Sequence, residues 1–289
     1  KLCLLLLLLS MYCHAVGKEY KVSSPNGKIE LTIVRAEDGE MAYRLSVNRR
    51  LVMDASALGF KTEDGQLLPA QGWEVTDVMR DKVRATWRPL WGKRAVVPER
   101  YNEQKLSLAK GTEPQGALEI VARAYDDGVA FRYVSLCEED HAEELTAFNF
   151  AGDYTAWFYN GERHNIGPER LTASDGERLP VMTVKAADDL YLALHEACLD
   201  EGEPLKLTSE KGKRSFAVSV KPYALRAGYR SAWRVILCGD RPGDLVDSHL
   251  LELLNPEPAA GYDFSWVKPG IALWDWRING ARWEGFRYT

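Results

Sequence analysis

The chain has 289 residues, 46% of them hydrophobic, which is enough to bury one large core or two ordinary ones. Its net charge of −5 and isoelectric point near 5.7 argue against the clustered basic face of a nucleic-acid-binding protein, so we expect no nucleic-acid partner. The 9 Trp and 13 Tyr are more typical of β-structure cores than of sugar-stacking sites, so composition by itself does not indicate carbohydrate binding.

The first 15 residues have the pattern of a secretory signal. Lys1 precedes an apolar run that extends to Leu9, and a short segment ending at Ala15 resembles a cleavage site. The run is shorter than the ~20 residues of a transmembrane helix, so we expect no membrane span. We therefore predict that residues 1–15 are the signal peptide of a secreted, periplasmic protein. Cys13 leaves a lipid-anchored form as the alternative, although the residues before it fit a lipoprotein signal poorly.

Short segments of alternating polarity separated by turn residues follow from Val22 onward. The alternation predicts antiparallel strands at 29–33, 41–47, 58–61, 73–79, 83–88, 104–109 and 118–125. An Asp-Gly turn at 127–128 predicts a hairpin. A strand about every ten residues, without a long amphipathic helix, is typical of a β-sandwich, which we predict for residues 16–258.

The middle of the chain contains two polar segments. The acidic run at 138–144 is predicted to be a solvated face. The loop at 160–165 follows an aromatic strand, and its Glu162 is a candidate for the rim of a sugar site. An edge strand with an ordinary surface loop explains the same pattern, and it is the simpler interpretation.

Residues 191–197 read as an apolar strand that carries Glu196 near its end. By sequence pattern alone, Glu196 is a surface or salt-bridge residue. A further strand is predicted at 231–237, and apolar residues at helical spacing predict a short helix or a turn within 244–254. The three cysteines beyond the signal have no zinc-binding spacing and are predicted to be small buried hydrophobes; they are Cys137, Cys198 and Cys238.

The C-terminal segment, residues 259–289, has a different character. An ordered loop at 265–270 precedes the uninterrupted apolar run 271–274, which is typical of a strand buried on both faces in a parallel sheet. We predict a linker followed by the first strand of a truncated parallel β/α domain. Asp275 would lie near the carboxyl end of that strand, where the active sites of parallel β/α domains form, although a salt bridge or a turn is the simpler explanation.

Six segments together resemble glycoside hydrolase family 97, and they occur in the family's order. They are SPNGKIELTI (24–33), WGKRAVVPERYNE (91–103), YDDGVAFRY (125–133), YLALHEACL (191–199), SAWRVILCGDRPGDLVDS (231–248) and SWVKPGIALWDW (265–276). The resemblance implies a large antiparallel β-sandwich joined to a catalytic (β/α)8 barrel, with the SWVKPG loop at the junction. The expected fold class is thus mostly β, followed by the start of the barrel.

The resemblance also implies site residues. Glu196 matches a family glutamate that binds an active-site calcium ion across the domain boundary. Calcium takes about 6 to 8 oxygen ligands, so the barrel and water would supply the others. Glu103, in a Tyr-Asn-Glu block, is a weaker substrate-site candidate together with Glu162 and Asp275, and a structural hydrogen bond is its simpler role. The family's catalytic carboxylates come from later barrel strands, so we expect no catalytic residue in this fragment.

The function implied is that of the N-terminal domain of a secreted, calcium-dependent, exo-acting α-glucosidase or α-galactosidase. Its partners would be an α-linked oligosaccharide and its own C-terminal barrel. The alternative is a stand-alone carbohydrate-binding or adhesion sandwich without catalysis.

Overall fold

The computed structural model describes residues 17–36, 39–111, 118–257 and 261–271. The strands in these residues are β1 Lys18–Ser23, β2 Ile29–Arg35, β3 Met41–Val47, β4 Arg50–Leu58, β5 Phe60–Thr62, β6 Leu67–Leu68, β7 Trp73–Trp87, β8 Val97–Lys110, β9 Leu118–Tyr125, β10 Gly128–Ser135, β11 Glu139–Glu144, β12 Ala147–Phe150, β13 Thr155–Tyr159, β14 Ile166–Arg170, β15 Gly176–Ala187, β16 Leu190–Ala197, β17 Leu207–Ser209, β18 Ser215–Val218, β19 Tyr223–Leu225 and β20 Trp233–Gly239. The helices are a 3-10 turn at Leu171–Ala173, α1 Pro242–Asp247 and α2 Leu250–Leu253.

The strands pair antiparallel in two sheets. The larger sheet runs β1-β2-β3-β4-β12-β18-β17-β15-β16-β20-β10-β9-β8-β7, with β13 and β14 branching from β15. The smaller sheet has the order β19-β11-β5-β6. The rings of Tyr43 in β3 and Phe131 in β10 pack 4.9 Å apart, although these strands are far apart along the sheet. The larger sheet therefore folds over on itself, as a sandwich requires.

The alternation read from the sequence explains the core. In β3, every second residue is buried and the residues between are half-exposed, which is the burial pattern of a strand with one face on a core. The large buried side chains include Tyr43, Phe60, Phe131, Phe148 and Phe216. The predicted mostly-β fold with a large antiparallel sandwich is thus confirmed.

The predicted Asp-Gly hairpin is also confirmed, since Tyr125 pairs with Gly128 across the turn from β9 to β10. A Cβ atom on Gly128 would lie 2.5 Å from the carbonyl oxygen of Ile236 in β20. Glycine therefore allows β10 and β20 to pair at this point.

A second, smaller apolar cluster lies on the outer face of the larger sheet. It includes Tyr101, Tyr125, Trp233, Leu250 and Leu254. The two short helices α1 and α2 follow β20 and contact β16. This face carries the cleft described below.

Two local predictions, that of two strands at 73–79 and 83–88 and that of a solvated acidic run, are wrong. The two strands expected at 73–79 and 83–88 are one continuous strand, because β7 pairs with β8 along its whole length. The short helix or turn expected within 244–254 is present as two short helices, α1 and α2. The acidic run is not a solvated face throughout: it forms β11, and Glu144 at its end is fully buried. Cys198 and Cys238 are buried as predicted, Cys137 is half-buried, and all three are free thiols.

The predicted signal peptide, with Cys13, lies outside the described residues, as does the predicted barrel strand beyond Ile271. Within the described ranges, no helix has the length and apolar character needed to cross a bilayer.

Candidate functional site

Glu196 belongs to a cluster of charged side chains near the end of β16. Its Oε2 atom lies 3.1 Å from Nη1 of Arg234 in the neighbouring strand β20. Its Oε1 atom accepts a 2.8 Å hydrogen bond from the backbone N–H of Leu205. Arg234 also donates a hydrogen bond to each carboxylate oxygen of Glu144. Its Nε atom lies 2.9 Å from Oε1, and its Nη2 atom lies 2.5 Å from Oε2. We call Glu144, Arg234 and Glu196 the charged triad.

The charged triad runs from the protein interior towards the surface. The exposed fraction of the side chain is 0% for Glu144, 4% for Arg234 and 11% for Glu196. Burial by itself would raise the pKa of Glu144, but the charge and hydrogen bonds of Arg234, with a hydrogen bond from Tyr223, bring that pKa below its usual value. Burial by itself would lower the pKa of the Arg234 guanidinium. The negative charge of Glu144 more than offsets this effect of burial, so the pKa is raised. Glu144 and Arg234 are therefore both charged, and with the carboxylate of Glu196 the triad has a formal net charge of about −1.

The chemistry of Glu196 fits a single calcium ligand. An ionised carboxylate has about four lone-pair sites, and the contacts of Glu196 to Leu205 and Arg234 use two of them. The net negative charge of the triad is compatible with a cation beside Glu196, although Arg234 offsets part of the attraction. Across the described ranges, no group of three or more His, Cys, Asp or Glu side chains is arranged to hold a metal ion. Glu196 therefore fits as one ligand of a larger set.

A cleft of about 990 Å³ lies on the other face of β20. Trp233 lines this cleft, and Trp233 and Arg234 point to opposite faces because they are adjacent in one strand. The guanidinium groups of Arg123 and Arg132 lie 4.8 Å and 4.4 Å from the Trp233 ring centroid. Leu90 and Trp91 also line the cleft and are largely exposed. We call this feature the Trp233 cleft.

Glu103 forms an ion pair that supports the Trp233 cleft. Its Oε2 atom lies 2.7 Å from Nε of Arg123, whose guanidinium also stacks 4.4 Å from the ring centroid of Tyr101. The structural hydrogen-bonding role considered for Glu103 is therefore present.

Glu162 and Asp275 do not join these residues. Glu162 is exposed in the connection between β13 and β14, where it forms an isolated bridge with Asn160. It has no described contact with Glu103 or Glu196, and Asp275 lies outside the described residues. The predicted roles of Glu103, Glu162, Glu196 and Asp275 remain predictions.

Sequence reasoning missed Glu144 and Arg234 as members of the site. Arg234 had a usable signal, because a charged residue inside the apolar run 231–237 must be paired if that strand is buried. Glu144 had none, since it closes a run of acidic residues whose other members are more exposed.

Comparisons with known proteins agree with one another. Residues 22–257 match the family model described as Glycosyl-hydrolase 97 N-terminal. The chain is 26% identical over 277 residues to a probable retaining alpha-galactosidase of Streptomyces bingchenggensis, covering 92% of this chain and 43% of that protein. It is 22% identical over 316 residues to a retaining alpha-galactosidase of Bacteroides thetaiotaomicron, covering 94% of this chain and 46% of that protein. The chain thus spans less than half the length of these relatives.

Solved structures give the same result. A glycoside hydrolase family 97 enzyme from Pseudoalteromonas sp. strain K8, in complex with acarbose, superposes with a TM-score of 0.75 at 26% identity and covers 87% of this chain and 40% of that one. A beta-arabinopyranosidase superposes with a TM-score of 0.64 at 20% identity and covers 77% of this chain and 40% of that one. This likeness concerns the fold alone.

Proposed function

Because the chain belongs to glycosyl-hydrolase family 97, matching its N-terminal model over residues 22–257, we propose that it is the N-terminal domain of a secreted, calcium-dependent, exo-acting α-glycosidase. The two related alpha-galactosidases favour terminal α-linked galactose as the sugar removed, ahead of glucose. The domain's partners are the oligosaccharide substrate and the enzyme's own catalytic barrel, which accords with coverage of 43% and 46% of those relatives.

The observation that carries the calcium proposal is the charged triad. Both oxygens of Glu196 are held, one by Leu205 and the other by Arg234, so the carboxylate is positioned before any ligand binds. Glu144 keeps Arg234 charged and fixed from the buried side. A bound calcium ion would supply positive charge beside the reacting sugar. The role of this chain is to hold one anionic oxygen ligand in place.

In the intact enzyme, we expect Glu196→Gln to weaken calcium binding and to lower activity on an aryl α-galactoside. The substitution keeps the size of the side chain and removes one negative charge from the ligand set of a hard cation. After removal of metal with a chelator, calcium titrations of both activity and thermal stability should shift to higher calcium concentration, by about tenfold or more. Excess calcium should restore part of the rate.

Glu119→Gln is the matched control, because Glu119 is also a half-buried glutamate, with a 2.9 Å ion pair to Lys105. It should leave both calcium titrations unchanged. Superimposable titrations for Glu196→Gln and the wild type would remove Glu196 from the calcium site. An intact enzyme that hydrolyses neither aryl α-galactosides nor aryl α-glucosides would refute the proposed activity itself.

We also propose that residues 1–15 direct export and are then removed, since they combine a charged start, an apolar run and a cleavage-site pattern. The intact mass of protein recovered from the periplasm of a Gram-negative host should correspond to a chain beginning near Val16. A mass that includes a lipid attached to Cys13 would instead establish the anchored form.

A further inference from the structure

Arg234 is shared unequally between the two glutamates of the charged triad. It donates two hydrogen bonds to Glu144, through Nε and Nη2, but only one to Glu196, through Nη1 over 3.1 Å. A bidentate pair between arginine and a carboxylate adds geometric specificity as well as energy. The positive charge of Arg234 is therefore matched mainly by Glu144, and Glu196 keeps most of its negative charge for a further cation.

The triad also joins the two sheets. Glu144 is the last residue of β11 in the smaller sheet, whereas Arg234 and Glu196 lie directly opposite each other in β20 and β16 of the larger sheet. Directly opposite residues of an antiparallel pair share one face of the sheet, so their side chains can meet there. One guanidinium thus links a carboxylate of the interior to the carboxylate of the candidate calcium site.

Glu144 can affect an ion at Glu196 only through Arg234. Its side chain is 0% exposed, so an ion near the surface cannot reach its oxygens. Among the described residues, Arg234 is the only side-chain cation within ion-pair distance of Glu196. Without the charge of Glu144, Arg234 and Glu196 would form a neutral pair, and a neutral pair attracts a divalent cation less than a triad with a formal charge of about −1 does.

Tyr223 offers a way to separate charge from geometry. This residue lies in β19 of the smaller sheet, and its hydroxyl donates a 3.1 Å hydrogen bond to Oε2 of Glu144. Tyr223→Phe removes that hydrogen bond and leaves the carboxylate charge in place. Glu144→Gln removes the charge and keeps the size of the side chain.

We propose that Glu144 is a positioning residue of the calcium site: it engages Arg234 so that the carboxylate of Glu196 stays free to bind calcium, and it raises the calcium affinity without touching the ion. The inference rests on the proposed function in that it takes Glu196 as a calcium ligand. It makes the smaller sheet, through β11, a participant in a site whose ligand belongs to the larger sheet.

Calorimetric titration of calcium into the metal-stripped intact enzyme tests the proposal without requiring turnover. Glu144→Gln should weaken calcium binding by about tenfold. Combining it with Arg234→Met removes both interior charges and restores the formal charge of −1 at Glu196, whose Oε1 atom is still held by Leu205. The double variant should therefore bind calcium within about threefold of the wild type. A purely structural role predicts the opposite order, with the double variant no better than the single one.

Two further variants complete the test. Tyr223→Phe should weaken calcium binding by less than about threefold, because the charge of Glu144 remains. Glu119→Gln, with its distant ion pair to Lys105, should bind calcium as the wild type does. If Glu144→Gln does not fold, the double variant and Tyr223→Phe decide the matter by the same thresholds.

Wild-type calcium affinity in Glu144→Gln would overturn the proposal. So would a double variant that binds calcium more weakly than Glu144→Gln, or a Tyr223→Phe variant that loses as much affinity as Glu144→Gln. Failure of the proposed calcium site looks different, because Glu196→Gln would then bind calcium as the wild type does. Weakened binding in Glu196→Gln together with unchanged binding in Glu144→Gln would refute the role of Glu144 alone.

Discussion

Arg234→Met is expected to destabilise the chain by about 3–5 kcal/mol, the largest stability effect that we predict. The substitution leaves Glu144 fully buried with its charge uncompensated, and removing one partner of a buried ion pair typically costs this much. Methionine fills much of the volume of arginine, so a cavity contributes little. Urea unfolding of the wild type and the variant measures the difference.

Arg226→Met provides the matched control. Arg226 also binds a carboxylate, that of Asp140 at 2.7 Å, but both side chains are more than half exposed. We expect a loss below about 1 kcal/mol, because exposed ion pairs contribute little. Combining Arg234→Met with Glu144→Gln should cost less than the sum of the single changes by more than about 1 kcal/mol, since the two groups interact directly. Equal losses for Arg234→Met and Arg226→Met would contradict a buried triad.

The charged triad also predicts an acid dependence of stability. The pKa of Glu144 is lower in the folded protein than its usual value of 4.5. The stabilisation from its ionised form is therefore complete above that value and is lost as the pH falls through the folded-state pKa. Below the usual value, the free energy of unfolding should fall more steeply for the wild type than for Glu144→Gln, as urea titrations at several pH values would show.

The second large effect concerns catalysis. A protein of these 289 residues should hydrolyse aryl α-galactosides and α-glucosides no faster than buffer does. That rate of hydrolysis is about a millionfold or more below the rate of an intact enzyme. Glycoside hydrolysis requires two carboxyl groups placed on either side of the scissile bond. Among the described residues, Glu144, Glu196 and Glu103 are each held by an arginine, and the family resemblance places the catalytic pair in the barrel.

The measurement compares the 289-residue protein with the full-length enzyme in the same assay. A β-type circular dichroism spectrum and cooperative unfolding must first establish that the shorter protein is folded. Turnover that is proportional to protein concentration and survives repurification would contradict the prediction, and it would direct attention to carboxylates within the sandwich.

Local patterns in the sequence determined most of the β-structure. Two such patterns are the alternation of polarity at 29–33 and 41–47 and the Asp-Gly turn at 127–128. Both depend on residues only a few positions apart, and the structure confirms them. The family resemblance added Glu196 as a predicted site residue, because an ordered series of motifs carries information that no single strand contains. The prediction of two separate strands at 73–79 and 83–88 was wrong because β7 continues to pair with β8 through a polar stretch. In the sequence alone, that stretch looks like a turn.

Only the tertiary structure decided the partners of the charged residues. Glu144 lies 90 residues from Arg234 along the chain, and nothing in an acidic run distinguishes the one carboxylate that turns inward. The sequence placed Arg234 in an apolar strand, yet only the packing of β11, β16 and β20 shows that two glutamates share it. A buried ion pair is a property of space, because it is present or absent according to distance and burial rather than residue type.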